Sequence, residues 1–203
     1  MVTQRPRDFY GWVAVALLSA LALALAAAGE APRLALRYAR DPIAAGEAWR
    51  LLTGHLVHLD LRHALLNAAG LWLVWALFGS LFRPVQWLAI VLAGVLAIDA
   101  GLWWLDPGLD WYVGASGVLH AMMAAGIVRQ MIAGDRIAWG LAVIGSAKLA
   151  WEHVHGALPL AGATVAVVTD AHLYGAIAGA ACGLVLRPAR SVPQSGTGSE
   201  GTG

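Results

Sequence analysis

Long apolar segments follow one another along most of the chain, separated by short stretches rich in arginine, aspartate, glycine and proline. A helix needs roughly 17–25 residues to cross about 30 Å of hydrocarbon, and its backbone groups must bond within the segment. The pattern therefore predicts an all-α membrane protein with six transmembrane helices, at residues 12–28, 61–81, 85–105, 115–133, 137–153 and 171–186.

Composition supports this prediction. The chain is 60% hydrophobic and 12% charged, whereas soluble domains are about 45–50% apolar and about 25% charged. A net charge of +1 gives no reason to expect nucleic acid as a partner. The single cysteine, Cys182, excludes an intramolecular disulfide and a cysteine-cluster metal site. Because further apolar segments follow the first, we expect a retained span there rather than a cleaved signal peptide.

One domain is predicted over residues 1–190, followed by a disordered Gly/Ser-rich tail at residues 191–203. The apolar stretch 156–168 contains Pro159 and Gly162, so it is interpreted as a loop against the membrane surface. The distribution of arginines between the two sides favours cytoplasmic termini.

The run Gly114-Ala115-Ser116-Gly117 opens the fourth apolar segment. Unpaired N–H groups and the positive dipole end at a helix start can stabilise an oxyanion. Gly114 and Gly117 permit a tight turn and close approach of a substrate. Ser116 is therefore a candidate nucleophile, with a helix N-cap as the alternative interpretation.

His172, at the start of the sixth segment, is the candidate base. It can reach Ser116 only if the fourth and sixth helices approach closely. Small residues recur every four positions on both helices, which permits such packing. They are Ala171, Gly175, Gly179 and Gly183 on the sixth helix and Gly117, Ala121 and Ala125 on the fourth. Ordinary helix packing would explain the same residues and is compatible with catalysis.

No carboxylate is obviously placed to orient His172. Asp170 lies two residues earlier, and residues two apart on a helix do not face one another. We therefore expect a Ser–His dyad, with Asp170 as a helix cap.

A third cluster enters the second helix, where His63 and Asn67 are four residues apart and share a face. Their N–H groups are candidate donors to an oxyanion, with interhelical hydrogen bonding as the alternative. His58 and His120 are expected to line the same polar cavity, and His55 also belongs to the cluster. No HExxH spacing or acidic ligand set accompanies these histidines, so neither a metal nor another cofactor is predicted.

Three further charged residues lie within the predicted spans. Lys148 and Glu152 are four residues apart and could pair, and Asp99 could pair with either across helices. Structural ion pairing is favoured over a role in reading the substrate, and the roles of all three stay open.

These motifs together resemble the rhomboid family of intramembrane serine proteases, from the first span to Leu186. The resemblance is carried by Trp49-Arg50, by His58, His63 and Asn67, by Gly114-Ala115-Ser116-Gly117, and by Ala171-His172-Leu173-Tyr174-Gly175. It implies a six-helix rhomboid-like bundle in which Ser116 attacks the peptide carbonyl and His172 takes its proton. It also implies that His63, Asn67 and the Ser116 N–H hold the oxyanion. A tyrosine common in that family one turn after the serine is replaced here by His120.

Within the family the chain most resembles the rhombosortases. The shared segments are Gly46-Glu47-Ala48-Trp49-Arg50-Leu51, Ser116-Gly117-Val118-Leu119-His120 and Lys148-Leu149-Ala150-Trp151-Glu152. This resemblance implies a bacterial inner-membrane enzyme whose single-span substrates end in Gly-Gly, an apolar helix and a basic tail. A catalytically silent rhomboid-like protein that binds membrane clients is the alternative. A transporter is a third possibility, although no inverted repeat is visible.

Overall fold

The computed structural model describes residues 6–156 and 168–187. Within these ranges the elements in chain order are α1 (Pro6–Ala27), α2 (Glu30–Leu36), β1 (Tyr38–Ala39), α3 (Arg40–Ala44), α4 (Arg50–Thr53), α5 (Leu61–Phe78), α6 (Pro84–Trp104), β2 (Trp111–Tyr112), α7 (Ser116–Ile132), α8 (Arg136–His155) and α9 (Asp170–Val185). The all-α class is confirmed, and the six long helices coincide with the six apolar segments. The disordered tail and most of the predicted surface loop lie outside the described residues.

Three of the described helices are both long and apolar enough to cross a membrane: α1, from Phe9 onward, α5 and α6. Helices α7 and α9 have 17 and 16 residues, while α8 includes Lys148 and Glu152. Short length and internal charge lower the hydrophobic signal of these three helices. The total of six membrane-spanning helices therefore stays a prediction.

The helices bury several polar side chains among apolar ones and expose many large apolar side chains. Large aliphatic side chains such as Leu65, Leu96 and Ile144 lie on the outer surface, while His63 and Asp99 are buried. In water this arrangement would be unfavourable, because exposed apolar area costs free energy. Lipid tails solvate such side chains, so the distribution fits a bundle surrounded by a bilayer.

Helix α9 packs most extensively on α7, and small residues make the contact possible. At each contact, a methyl group on the α9 glycine would collide with a backbone carbonyl oxygen of α7. The pairs are Gly175 with Gly117, Gly179 with Ala121 and Gly183 with Ala125. The predicted small-residue stripes therefore do meet, in register, and they bring the starts of the two helices together.

The segment between α1 and α5 is folded around two arginines. The buried Arg50 donates from Nη1 to the carbonyls of Leu34 and Arg37, both at 3.0 Å, and from Nε to Glu47 at 2.6 Å. Arg40 reaches the end of α6 and donates to the Leu102 carbonyl at 2.7 Å. This segment is thereby fixed to the helix bundle.

A two-stranded antiparallel sheet connects this segment to the start of α7. Tyr38 of β1 pairs with Tyr112 of β2, and Ala39 pairs with Trp111. Both tyrosines are almost fully buried. Because β2 immediately precedes the Gly114–Gly117 turn, the sheet fixes the position at which the chain enters α7.

Candidate active site

Ser116 is the first residue of α7, and Ala115 occupies the N-cap without a side-chain hydrogen bond. The alternative interpretation of Ser116 as a capping residue is therefore wrong. Its Oγ lies 2.8 Å from Nε2 of His172. The two residues are 56 positions apart in sequence, so the hydrogen bond depends on the α7–α9 packing.

The turn before Ser116 is held on both sides of Gly114. The Gly114 N–H donates to the Gly54 carbonyl at 3.0 Å, and its own carbonyl accepts from the Tyr112 hydroxyl at 2.6 Å. Burial raises the pKa of Tyr112 above its ordinary value, so the phenol stays protonated and can donate. Gly114 has φ +122°, a conformation that favours glycine. The backbone entering α7 is thus fixed where an oxyanion would bind.

His172 has a carboxylate partner, contrary to the prediction of a dyad without one. Its Nδ1 lies 2.9 Å from Oε2 of Glu152, and both residues are only 5% exposed. A carboxylate only accepts, so Nδ1 carries a proton and Nε2 presents its lone pair to the Ser116 hydroxyl. This is the tautomer that a general base needs.

Asp170 does not cap α9 in the structure. Thr169 occupies the N-cap, and Asp170 is the first helical residue. Its carboxylate lies 3.5 Å from Nδ1 of His153 on the surface. The prediction that Asp170 caps the helix was wrong by one position.

Sequence reasoning missed the role of Glu152 because it sought the partner of His172 on the same helix. Glu152 belongs to α8 and precedes His172 by 20 positions. One signal was available, since an acidic residue in an apolar helix is costly and usually marks function. The predicted pairing of Glu152 with Lys148 is confirmed, with 2.7 Å between Nζ and Oε2.

His120 stacks on His172. The ring centroids are 4.3 Å apart, and the planes differ by 16°. Nδ1 of His120 lies 2.7 Å from the Ser116 carbonyl oxygen, and Nε2 lies 3.1 Å from Nζ of Lys148. His120 therefore packs against the candidate base.

His63 and Asn67 lie on adjacent turns of α5, and both are buried. A methyl group on Gly114 would lie 2.9 Å from Cε1 of His63, so the ring lies directly against the glycine. The Leu59 N–H donates to Nδ1 of His63 at 3.5 Å, which leaves the proton on Nε2. Asn67 donates one amide N–H to the His63 carbonyl at 2.9 Å, and its second N–H is left for another acceptor.

His58 packs edge-on against His63, with ring centroids 5.1 Å apart. Neither of its ring nitrogens has a partner in good hydrogen-bond geometry among the described residues. Burial, with a smaller contribution from neighbouring His63, lowers the pKa of His58 to about 4. His58 is therefore a neutral imidazole at physiological pH.

The remaining buried charge, Asp99, pairs with a histidine rather than with Lys148 or Glu152. Its Oδ1 lies 3.3 Å from Nε2 of His55, and His55 in turn packs edge-on against Tyr112. Of the partners considered possible for Asp99, neither Lys148 nor Glu152 is the one it contacts here.

His120, Glu152 and His172 bring three potential metal-ligand atoms within 4.8 Å of one another. The Lys148 ammonium, however, contacts both the His120 and the Glu152 atoms. A metal ion bound there would meet this positive charge at close range. The donor set therefore fits a hydrogen-bonded network better than a metal centre.

A cavity of about 190 Å³ opens beside His63. Its lining combines aliphatic side chains with one carboxylate and the β2 segment: Leu59, His63, Leu109, Asp110, Trp111, Tyr112, Val113 and Val168. Because His63 and Val113 flank the Gly114 turn, the cavity lies beside the start of α7.

Comparison with known families matches residues 45–189 to the rhomboid domain. A search of curated proteins finds no match to the chain. The matched range contains α4 to α9, and so includes every residue of the site just described. The chain therefore belongs to the rhomboid family, whose members are multi-pass membrane proteins and intramembrane serine proteases.

Proposed function

We propose that the protein is an active intramembrane serine endopeptidase that cleaves single-span membrane proteins near the outer membrane surface. One observation carries the proposal, namely the 2.8 Å separation of the Ser116 hydroxyl and Nε2 of His172 at the start of α7. A nucleophile within hydrogen-bond reach of a base is the arrangement that covalent catalysis requires.

In the proposed reaction, Ser116 Oγ bonds to the scissile carbonyl carbon while its proton passes to Nε2 of His172. The carbonyl electron pair moves to oxygen and forms the oxyanion. Collapse of this intermediate breaks the C–N bond, and the leaving amine takes the proton from Nε2. Water, deprotonated by the same nitrogen, then adds to the acyl carbon. When this second intermediate collapses, the bond from the acyl carbon to Oγ breaks and Nε2 returns the proton to Ser116.

Three donors are assigned to the oxyanion: the Ser116 backbone N–H, Nε2 of His63 and the second amide N–H of Asn67. The backbone N–H is one of the unpaired donors at the start of α7. The other two come from adjacent turns of α5. Donors held in place before the reaction stabilise developing charge without reorganisation, which is commonly the largest catalytic contribution.

The proposed substrates are bacterial secreted proteins that carry a C-terminal Gly-Gly, one apolar helix and a basic tail. Resemblance to the rhombosortases supports this substrate class. The chemistry agrees, because Ser116 can attack only an exposed backbone carbonyl and glycines weaken a helix. The location implied is the bacterial inner membrane, with cytoplasmic termini.

The test uses purified protein in liposomes with a reporter ending in Gly-Gly, an apolar helix and arginines. Wild type should cleave the reporter and react with a fluorophosphonate, and Ser116→Ala should do neither. Ser146→Ala is the matched control, because Ser146 is exposed on α8 and should behave as wild type.

Each other outcome has a definite meaning. Cleavage by Ser116→Ala would refute the assigned nucleophile. A wild-type protein that binds the reporter without cleaving it or reacting with the probe would be a client-binding protein instead. A reporter in which Gly-Gly is replaced by Val-Val should be cut much more slowly, and equal rates would remove the proposed substrate class.

A further inference from the structure

A closed circuit of hydrogen bonds starts at the hydroxyl of Ser116 and returns to the carbonyl of the same residue. It passes from Oγ to His172 at 2.8 Å and from His172 to Glu152 at 2.9 Å. It continues from Glu152 to Lys148 at 2.7 Å, from Lys148 to His120 at 3.1 Å and from His120 to the Ser116 carbonyl at 2.7 Å. Two residue pairs with a spacing of four, Ser116 and His120 on α7 and Lys148 and Glu152 on α8, thus face each other. They surround the imidazole of His172.

The circuit has one self-consistent assignment of protons. The Lys148 ammonium can only donate, so Nε2 of His120 accepts and its Nδ1 carries the proton donated to the Ser116 carbonyl. The Glu152 carboxylate only accepts, so it receives one hydrogen bond from Lys148 and one from Nδ1 of His172. Each hydrogen bond of the circuit therefore joins one donor to one acceptor.

Stability alone does not explain why these charged groups are buried together. Glu152 is 5% exposed, and a buried ion pair often contributes less stability than apolar residues of the same size. Structural pairing would need only Lys148 and Glu152. Instead, the same Oε2 atom that binds Lys148 also accepts from the candidate base.

We propose that Glu152, held by Lys148, is a positioning residue that fixes the tautomer and ring orientation of His172, so that the catalytic unit is Ser116–His172–Glu152. This inference rests on the proposed protease function and deepens it. When the Ser116 proton reaches Nε2, His172 becomes a cation that already contacts a carboxylate. His120, stacked on the ring, holds its plane.

The charged and titratable groups around His172 come from several helices. His120 faces it from α7, and Glu152, with Lys148 behind it, faces it from α8. His63 of α5 is close enough to interact electrostatically with it. Among these groups, Glu152 is the one negative charge in hydrogen-bond contact with the imidazole.

The experiment compares Glu152→Gln, Glu152→Asp and Lys148→Met in the full-length protein in liposomes. Asp170→Asn is the matched control, because this carboxylate is on α9, two residues from the base, and pairs with His153 instead. The measurements are kcat and KM on the Gly-Gly reporter, the rate of fluorophosphonate labelling, and the thermal midpoint.

Glu152→Gln should lower kcat and the labelling rate by about 10³-fold while KM changes by less than about threefold. Glu152→Asp should be more active than Glu152→Gln, because it keeps the charge although it shortens the side chain. A role in packing alone predicts the opposite order, since glutamine preserves the shape. Asp170→Asn should match wild type.

Lys148→Met should lower kcat about tenfold, and adding it to Glu152→Gln should cause little further loss, because Lys148 acts through Glu152. Should Glu152→Gln fail to fold, Lys148→Met decides the question, since Lys148 is partly exposed. Wild-type kcat in either variant, or Gln as active as Asp, overturns the positioning role and leaves the protease function standing. A wild-type protein without labelling or cleavage overturns both.

Discussion

Gly179 of α9 lies against the backbone carbonyl of Ala121 of α7, so closely that a methyl group at position 179 would overlap the carbonyl oxygen. The collision is with backbone, which cannot rotate away as a side chain can. Because Gly179 has no side chain, α7 and α9 can pack this closely. The distance from Ser116 to His172 therefore depends on a residue that takes no part in the chemistry.

Gly179→Ala is expected to push α9 away from α7. Overpacking of this kind costs about 1–3 kcal/mol of unfolding free energy, and kcat should fall at least about tenfold because the nucleophile–base distance increases. Thermal midpoint and reporter cleavage are the measurements. Gly145→Ala on α8 is the control, because a methyl group there meets nothing within 4 Å. Equal effects of the two substitutions would contradict the packing argument.

Asn67→Ala and His63→Ala should each lower kcat by about 10²–10³-fold with little change in KM, as expected for donors that act on the transition state. Steady-state kinetics on the Gly-Gly reporter checks this. If KM rises while kcat stays constant, the two residues bind the ground state and the oxyanion assignment is wrong.

His120→Phe should retain more activity than His120→Ala. Both variants lose the hydrogen bonds to the Ser116 carbonyl and to Lys148, but only the alanine variant loses the ring stacked on His172. Aromatic pairs contribute about 0.5–1.5 kcal/mol beyond burial, so the phenylalanine variant should be about two- to tenfold faster. Equal fluorophosphonate labelling rates would show that stacking does not hold the base.

The stability of the protein should decrease as pH falls from about 6.5 to about 4, in part because of His58. Its folded-state pKa of about 4 lies below the ordinary value of 6.5. Between these values the unfolded chain therefore binds more protons, and stability rises with pH. The contribution is full above about pH 6.5, and at most about 3 kcal/mol of it is lost by pH 4.

Thermal midpoints of wild type and His58→Phe at pH 7.5 and pH 4.5 test the contribution of His58. Phenylalanine keeps the edge-on contact with His63 and cannot titrate, so the difference between the two pH values should shrink in the variant. An unchanged difference would assign the acid sensitivity to groups other than His58.

Local pattern was enough to predict the helices and the candidates for nucleophile and base. Hydrophobic run length is encoded residue by residue, and a serine between glycines before an apolar helix marks a possible oxyanion site. The four-residue spacing of Gly175, Gly179 and Gly183 even indicated which helices meet, because close backbone approach requires small residues in register.

Partnerships across helices were harder to predict. The sequence allows Asp99 to pair with Lys148 or Glu152, whereas the structure pairs it with His55, because the rotation of α6 in the bundle decides which groups it faces. The predicted N-cap of α9, Asp170, is one residue away from the observed N-cap, Thr169. The first and last residues of a helix are hard to predict to within one or two positions.

The sequence by itself determined that this protein is helical, that it belongs in a membrane, and that Ser116 and His172 head two helices able to pack closely. These properties follow from short-range composition and spacing. Only the tertiary structure decided that Glu152 contacts His172 and that Lys148 and His120 complete a circuit back to Ser116. Hydrogen bonds form over about 3 Å, and whether side chains on α7, α8 and α9 come within that distance depends on the depth and rotation of packed helices, which no local pattern specifies.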